Sequence, residues 1–383
     1  MCSDRNTENS ASPRSPRAAA GPDEGPITAH IRGLTSTRDR ILRLRQPKTK
    51  AMATTRTGRL MALRDEAGAG GMLTSGSILS SSTASLSESI NEYRRIQGRT
   101  YTQKVDYYAP NDEKQNEALD INHWWSLLFL GDKLFLSPLG NNVQRVLDVG
   151  TGTGIWAIDF ADEHPSAEVI GVDVSPIQPT WTPPNCKFQI DDIEKPWTWP
   201  EGHFDYIRVS NLEGCVADWS EFYEQAFKAL RPGGYIEIKE HDIELKSQAG
   251  PLPDDHILKS WPRSLLKAAG ILGKTGLQCR DHGIAKSLGA AGFSDVVEQK
   301  FPVPIGGWAS EPRLKEAGLG CLTFLDQSLE GFGMFLLKEV LGWEVSEVLV
   351  STAEYRKAIR DSKLQPYMDL HIVYARKPEE AEA

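Results

Sequence analysis

Large apolar residues are sparse in the first 90 residues and then fall into short dense runs separated by turn-forming clusters. Val146, Leu147 and Val149 make one such run, as expected of a buried parallel strand. The glycines at 150, 152 and 154 let the chain turn sharply into a helix, whose Ile155, Ile158 and Phe160 are apolar and whose Asp159, Asp162, Glu163 and His164 are polar. Pro165 closes that helix. Further strands are predicted at Glu168–Asp173, Lys187–Ile190 and Phe204–Ser210, and Arg231–Glu240 reads as a turn feeding a fifth. Strand and helix thus alternate through residues 146–245, the pattern of an α/β protein with a parallel sheet covered on both faces.

Ahead of this core, Tyr107–Asp112 is extended, and Asn111 or Asp112 can cap a helix over Glu113–Leu130. His123 lies on that helix beside Trp124 and Trp125, a setting for a core or hydrogen-bonded orienting histidine rather than a catalyst. Beyond the core, Arg280–Ala291 reads as a helix, Asp295–Phe301 as a strand and Leu370–Ala375 as a last strand. Residues 311–361 look helical and carry Phe324, Phe332, Phe335, Leu336 and Trp343, the composition of a lid over an apolar pocket or of plain core.

Residues 1–90 read as a disordered Ser/Pro/Arg-rich tail, with a low-complexity tract at Ser75–Ser89 and a short basic stretch at Arg38–Arg45. The basic stretch suits a solvated tail, or a nuclear-import or docking segment. Residues 91–383 form the folded domain: a helical cap over 91–140, a ligand-binding core over 141–245, and an acceptor-side segment with the last strands over 246–378. The net charge of −9 hides an asymmetry. The first 90 residues hold 13 Lys and Arg against 8 Asp and Glu, whereas the remainder holds 30 against 44. An acidic folded part is a poor surface for phosphates, so direct nucleic-acid binding is not expected. No apolar run approaches the length of a membrane span. The five cysteines are scattered without a C-x-x-C pair, which argues against a metal site or disulfide framework and suits a reducing compartment.

The glycine turn exposes peptide N–H groups at a helix N-terminus, where a ligand can lie against the backbone. The dinucleotide fingerprint would need glycine at 155, which is Ile. What remains, Asp148-x-Gly-x-Gly-x-Gly154, resembles the first motif of class I S-adenosylmethionine (SAM)-dependent methyltransferases. Asp173, at the end of the next strand, is placed to accept hydrogen bonds from ribose hydroxyls, and Asp191-Asp192 to read the adenine edge. Asp205 begins a strand and reads as a structural cap. Glu240 and His241 end the fifth strand, where open sheets place their ligands, so either is a candidate base. Strand alternation lets at most one face the acceptor.

More specific segments extend the resemblance over residues 93–378. They are Tyr108-Ala-Pro-Asn-Asp-Glu113, Leu119-Asp-Ile-Asn-His123, Ile177-Gln-Pro, Asp192-Ile-Glu-Lys-Pro-Trp197, Arg231-Pro-Gly-Gly-Tyr-Ile-Glu237, Pro312-Arg-Leu-Lys-Glu316 and Val373-Tyr-Ala-Arg-Lys-Pro378. Together they resemble the fungal LaeA-type methyltransferases, regulators of secondary metabolism. The resemblance implies a Rossmann-like, mostly parallel seven-stranded sheet, with a helical N-terminal cap and a helical insertion before the last strand. It implies SAM held around Asp148, Gly150, Thr151, Gly152, Gly154, Asp173, Val174, Asp191, Asp192, Ile193 and Asn211. It also implies a nuclear or cytoplasmic role with velvet-type partners, and a protein or small-molecule methyl acceptor. His241 stands where the family pattern has an aromatic residue. A small-molecule tailoring methyltransferase and a SAM-binding module without turnover are the competing readings.

Overall fold

A computed structural model describes residues 93–379 except 104 and 277; the tail expected over 1–90 lies outside the described residues. The described chain opens with a hairpin that the sequence reading did not contain. Strands β1 (Tyr93–Ile96) and β2 (Arg99–Thr102) pair antiparallel through Gln97-Gly98, both at positive φ (47° and 78°), as a tight two-residue hairpin turn requires. The N-terminal cap is therefore a hairpin plus a helix. That helix, α1 (Glu113–Phe129), starts where Asp112 accepts the Gln115 N–H at 3.0 Å. The same carboxylate takes the Arg99 guanidinium of β2, so one aspartate ties hairpin to helix.

The core follows in the expected order: β3 (Arg145–Val149), α2 (Ile155–Glu163), β4 (Glu168–Asp173), β5 (Cys186–Ile190), β6 (Phe204–Ser210), α3 (Trp219–Ala229) and β7 (Leu230–His241). Asp205 accepts the N–H groups of Gln144 and Arg145 and pairs with Arg231, the structural role its position suggested. After a two-residue strand β8 (Lys246–Ser247) comes α4 (Ile257–Ile271), which the sequence reading did not anticipate. The helix expected at Arg280–Ala291 is broken in two. Asp281 and His282 take positive φ, separating a single 3₁₀ turn from α5 (Gly283–Ala290). Then come β9 (Ser294–Pro304), α6 (Pro312–Gly333), a π-helical turn over Met334–Val340, α7 (Val345–Ile359) and β10 (Pro366–Arg376).

The sheet runs β5-β4-β3-β6-β7-β10, with β9 on the far side of β10. Its first five strands are parallel, and β10 is antiparallel to β7 and β9. These are the seven strands expected; β8 adds an eighth by pairing with Pro366 and Tyr367. One face buries Val146, Trp156, Phe160 and Tyr206, and the other Leu147, Phe204, Phe222 and Ile236. A third cluster, around Tyr101, Trp125, Trp261, Phe335 and Met368, joins the cap to the insertion. Each large side chain there contributes about 1.5–3 kcal/mol by leaving water. Gly320 of α6 permits the close approach to α1, because a Cβ there would stand 2.6 Å from the Trp124 ring. Cap and insertion thereby roof the carboxyl end of the sheet.

Candidate active site

The site is built on the glycine turn at the end of β3. Its backbone is held from the neighbouring strand: Asp173 accepts the N–H of Gly152 at 2.8 Å and of Ser175 at 2.9 Å. Gln178 donates to the carbonyls of Gly152 (2.7 Å) and Ser175 (3.0 Å), so the Ile177-Gln-Pro segment clips the turn to the end of β4. Helix α1 clamps it from above. Asp120 accepts from the Thr153 hydroxyl at 2.7 Å, and His123 pairs with Asp159 of α2 at 2.9 Å. The segment Leu119–His123 thus works as a latch, with His123 the orienter its tryptophan neighbours suggested.

Gly150, Thr151, Gly152, Asp173, Val174, Asp191, Asp192, Ile193 and Asn211 all line one cavity above this turn. Asp148 and Gly154 do not line it, and their contributions lie behind it. Asp148 is wholly buried, accepting from the Thr151 hydroxyl at 2.6 Å and the Arg208 guanidinium at 2.5 Å. Arg208 in turn lies over Trp156, 4.4 Å from the ring centroid. Gly154, at φ 78°, lies against Phe188. Leu119, Asn122 and His123 of α1, together with Arg208, Lys239 and Lys274, also stand in the wall, though no motif in the chain marks them as cofactor contacts. Burial, reinforced by the Arg208 charge, pushes the Lys239 ammonium down to about 7.

These residues fit SAM. The turn keeps side chains away, a half-buried carboxylate ends the next strand, and the Ser210 hydroxyl in the wall has no partner. Burial pushes the Asp173 carboxyl up to about 6, against the pull of its backbone donors. Ribose hydroxyls would donate to its ionised form. SAM affinity should therefore fall as pH drops through about 6, by up to about tenfold per unit. Calorimetric titrations across this range should show the slope in the wild type and a weak, flat response in Asp173→Asn. A flat wild-type profile would remove Asp173 from the ribose.

A second cavity adjoins the first and shares Tyr107, Leu119, Asn122 and Asn211 with it. Its walls are largely apolar: Trp261 and Leu265 of α4, Phe324 and Leu329 of α6, then Phe332, Leu336 and Met368. Glu240 and His241 both belong to the wall of this cavity. The two differ in what they have free. Glu240 accepts the backbone N–H of Leu212 at 2.7 Å and of Glu213 at 3.3 Å, and burial pushes it up to about 7. Its oxygens are occupied in holding the loop after β6. His241 has an unpartnered Nε2 beside Trp125, and burial pushes it down to about 3, so the ring is neutral near pH 7. Glu213, which carries no periodic or motif signal, also faces this cavity.

The family description "Methyltransferase domain" matches residues 92–297. "Methyltransferase pytC" of Aspergillus terreus is 35% identical over 302 residues, covering 78% of this chain and 92% of that one. "Secondary metabolism regulator LAE1" of Cochliobolus heterostrophus is 34% identical over 280 residues, 72% of this chain and 91% of that one. "Protein-methionine methyltransferase laeA" of Emericella nidulans is 31% identical over 293 residues, 75% of this chain and 77% of that one.

Proposed function

Since this chain belongs to the LaeA-type SAM-dependent methyltransferases, we propose that it acts by methyl transfer in the regulation of secondary metabolism, its acceptor entering the apolar second cavity. The observation that carries this reading is the shared wall at Asn122 and Asn211, which joins a cavity fit for the cofactor to a roofed apolar one. SAM supplies an electrophilic methyl group on a sulfonium centre. The protein's part is to orient the acceptor and exclude water, and the roof of α1, α4 and α6 does both. The apolar lining of the second cavity favours one further reading, a tailoring role on a small natural product. Incubating the purified chain with methyl-labelled SAM and host extract, then separating protein from small molecules, distinguishes the two. Label in protein alone would discard the tailoring role, and no label in either fraction would discard turnover.

A velvet-type partner and a nuclear site of action are part of the same proposal. Among the described residues no helix is long and apolar enough to cross a membrane. Deleting residues 1–88 should leave the melting temperature and SAM affinity nearly unchanged, because that segment lacks core-forming residues. Localisation or partner binding should change instead. A broad, non-cooperative melt of the truncated chain would show that the folded domain begins earlier.

A further inference from the structure

We infer that Glu213 reads a hydroxyl group on the methyl acceptor, and that the acceptor is accordingly a hydroxyl-bearing, otherwise apolar small molecule of the phenol class. This rests on the second cavity being the acceptor site. Asn211, at φ 58°, turns the chain out of β6 so that Glu213 lies at the cavity wall. Its Oε1 accepts the Gln278 N–H at 2.9 Å, which fixes the carboxyl group. Its Oε2 is buried with no hydrogen-bond partner. Two more oxygens of the same wall, Gln115 Oε1 and Asn122 Oδ1, are also buried without partners. Buried polar atoms are normally satisfied, so these three oxygens call for a ligand that brings a donor, and the unpartnered Trp261 N–H of the same wall for one that also accepts.

The charges around Glu213 narrow the donor. Glu240 of β7 and Asp242 just after it repel negative charge, while Arg280 in the turn before α5 opposes them; Tyr223 of α3 and Cys279 complete the surroundings. Burial, then Glu240, pushes the Glu213 carboxyl up to about 8. A ligand carboxylate would meet repulsion here, and an ammonium would lose its hydration against Trp261, Leu265 and Phe332. A hydroxyl both donates and accepts, so it satisfies Oε2 in either protonation state. Glu240, bound to the two loop N–H groups, positions Glu213 rather than meeting the acceptor.

The test uses the full chain saturated with S-adenosylhomocysteine and buffered just above pH 8, where Glu213 is mostly ionised and Oε2 can only accept, titrated by calorimetry with 2-naphthol and with 2-methoxynaphthalene. The wild type should bind the naphthol about tenfold more tightly, the order expected for one buried hydrogen bond to a carboxyl group. In Glu213→Gln the amide can donate to either ligand oxygen, so the two affinities should become equal while S-adenosylhomocysteine binding persists. Should that variant fold poorly, Glu213→Asp, which withdraws the carboxyl by one methylene, should show a reduced preference. Equal binding of the two naphthalenes by the wild type, or an undiminished preference in the variants, would overturn the inference and leave cofactor binding intact. Failure of the wild type to bind S-adenosylhomocysteine would overturn the methyltransferase reading along with it.

Discussion

Gly154→Ala should cost the protein roughly 2–5 kcal/mol of stability and abolish measurable SAM binding. Two costs add. Position 154 has φ 78°, which an L-residue with a Cβ adopts at about 1–2 kcal/mol. The new Cβ would stand 2.2 Å from Phe188 Cζ and 2.6 Å from Cε1, so something must move. The ring cannot retreat easily, since it also covers Gly171, where a Cβ would meet it at 2.7 Å. Forcing an extra carbon into such packing costs about 1–3 kcal/mol. Displacing the turn would also move the Gly152 N–H away from Asp173, the contact that shapes the cofactor cavity. Urea denaturation with a parallel SAM titration would measure both effects. Near-wild-type stability with intact binding would mean that Phe188 yields freely and that the glycine is there for another reason.

Asp148→Ala should cost about 3–5 kcal/mol, because it strands a buried cation. Asp148 is fully buried and Arg208 nearly so; the carboxylate neutralises the guanidinium and holds the Thr151 hydroxyl. Removing it leaves the Arg208 charge over Trp156 without its ion-pair partner and facing the cofactor cavity, with the Glu237 carboxylate of β7 its nearest neighbour in the sheet register. The double variant Asp148→Ala, Arg208→Met should recover much of the lost stability, since no unpaired charge is then left inside. SAM affinity should fall in both variants, because Thr151 loses its anchor. Denaturation midpoints of the three chains would decide the matter. A single variant as stable as the wild type would show that water reaches Arg208 and that the pair is not dry.

Two of the residues the sequence reading placed against the cofactor, Asp148 and Gly154, thus serve from behind. Their motif was legible, but their roles were not. A glycine-rich turn after an apolar strand is local information, since buried parallel strands must be apolar throughout and such turns need residues without Cβ. For the same reason β3 to β7, β9, β10 and the Asp112-capped start of α1 could be placed from the chain alone. Where a side chain points after the turn is a different matter. It depends on partners such as Arg208, 60 residues from Asp148, and Phe188, on another strand.

The same distinction runs through the rest of the chain. The sequence by itself determined the sheet, the order of its strands along the chain, the glycine turn and the carboxylate ending β4, because apolar runs, turn residues and caps act over a few neighbours. Tertiary structure decided α4, in which Pro262 argues against a helix but burial of Leu258, Trp261, Leu265 and Ala268 outweighs it. It also decided the division of labour among the carboxylates of the second cavity. Glu240 looked free at a strand end and is occupied by N–H groups 27 and 28 residues away, while Glu213, unmarked in the chain, is left with an open oxygen. Which buried carboxylate stays unsatisfied depends on backbone donors brought together only by folding, and no local pattern of residue types encodes that.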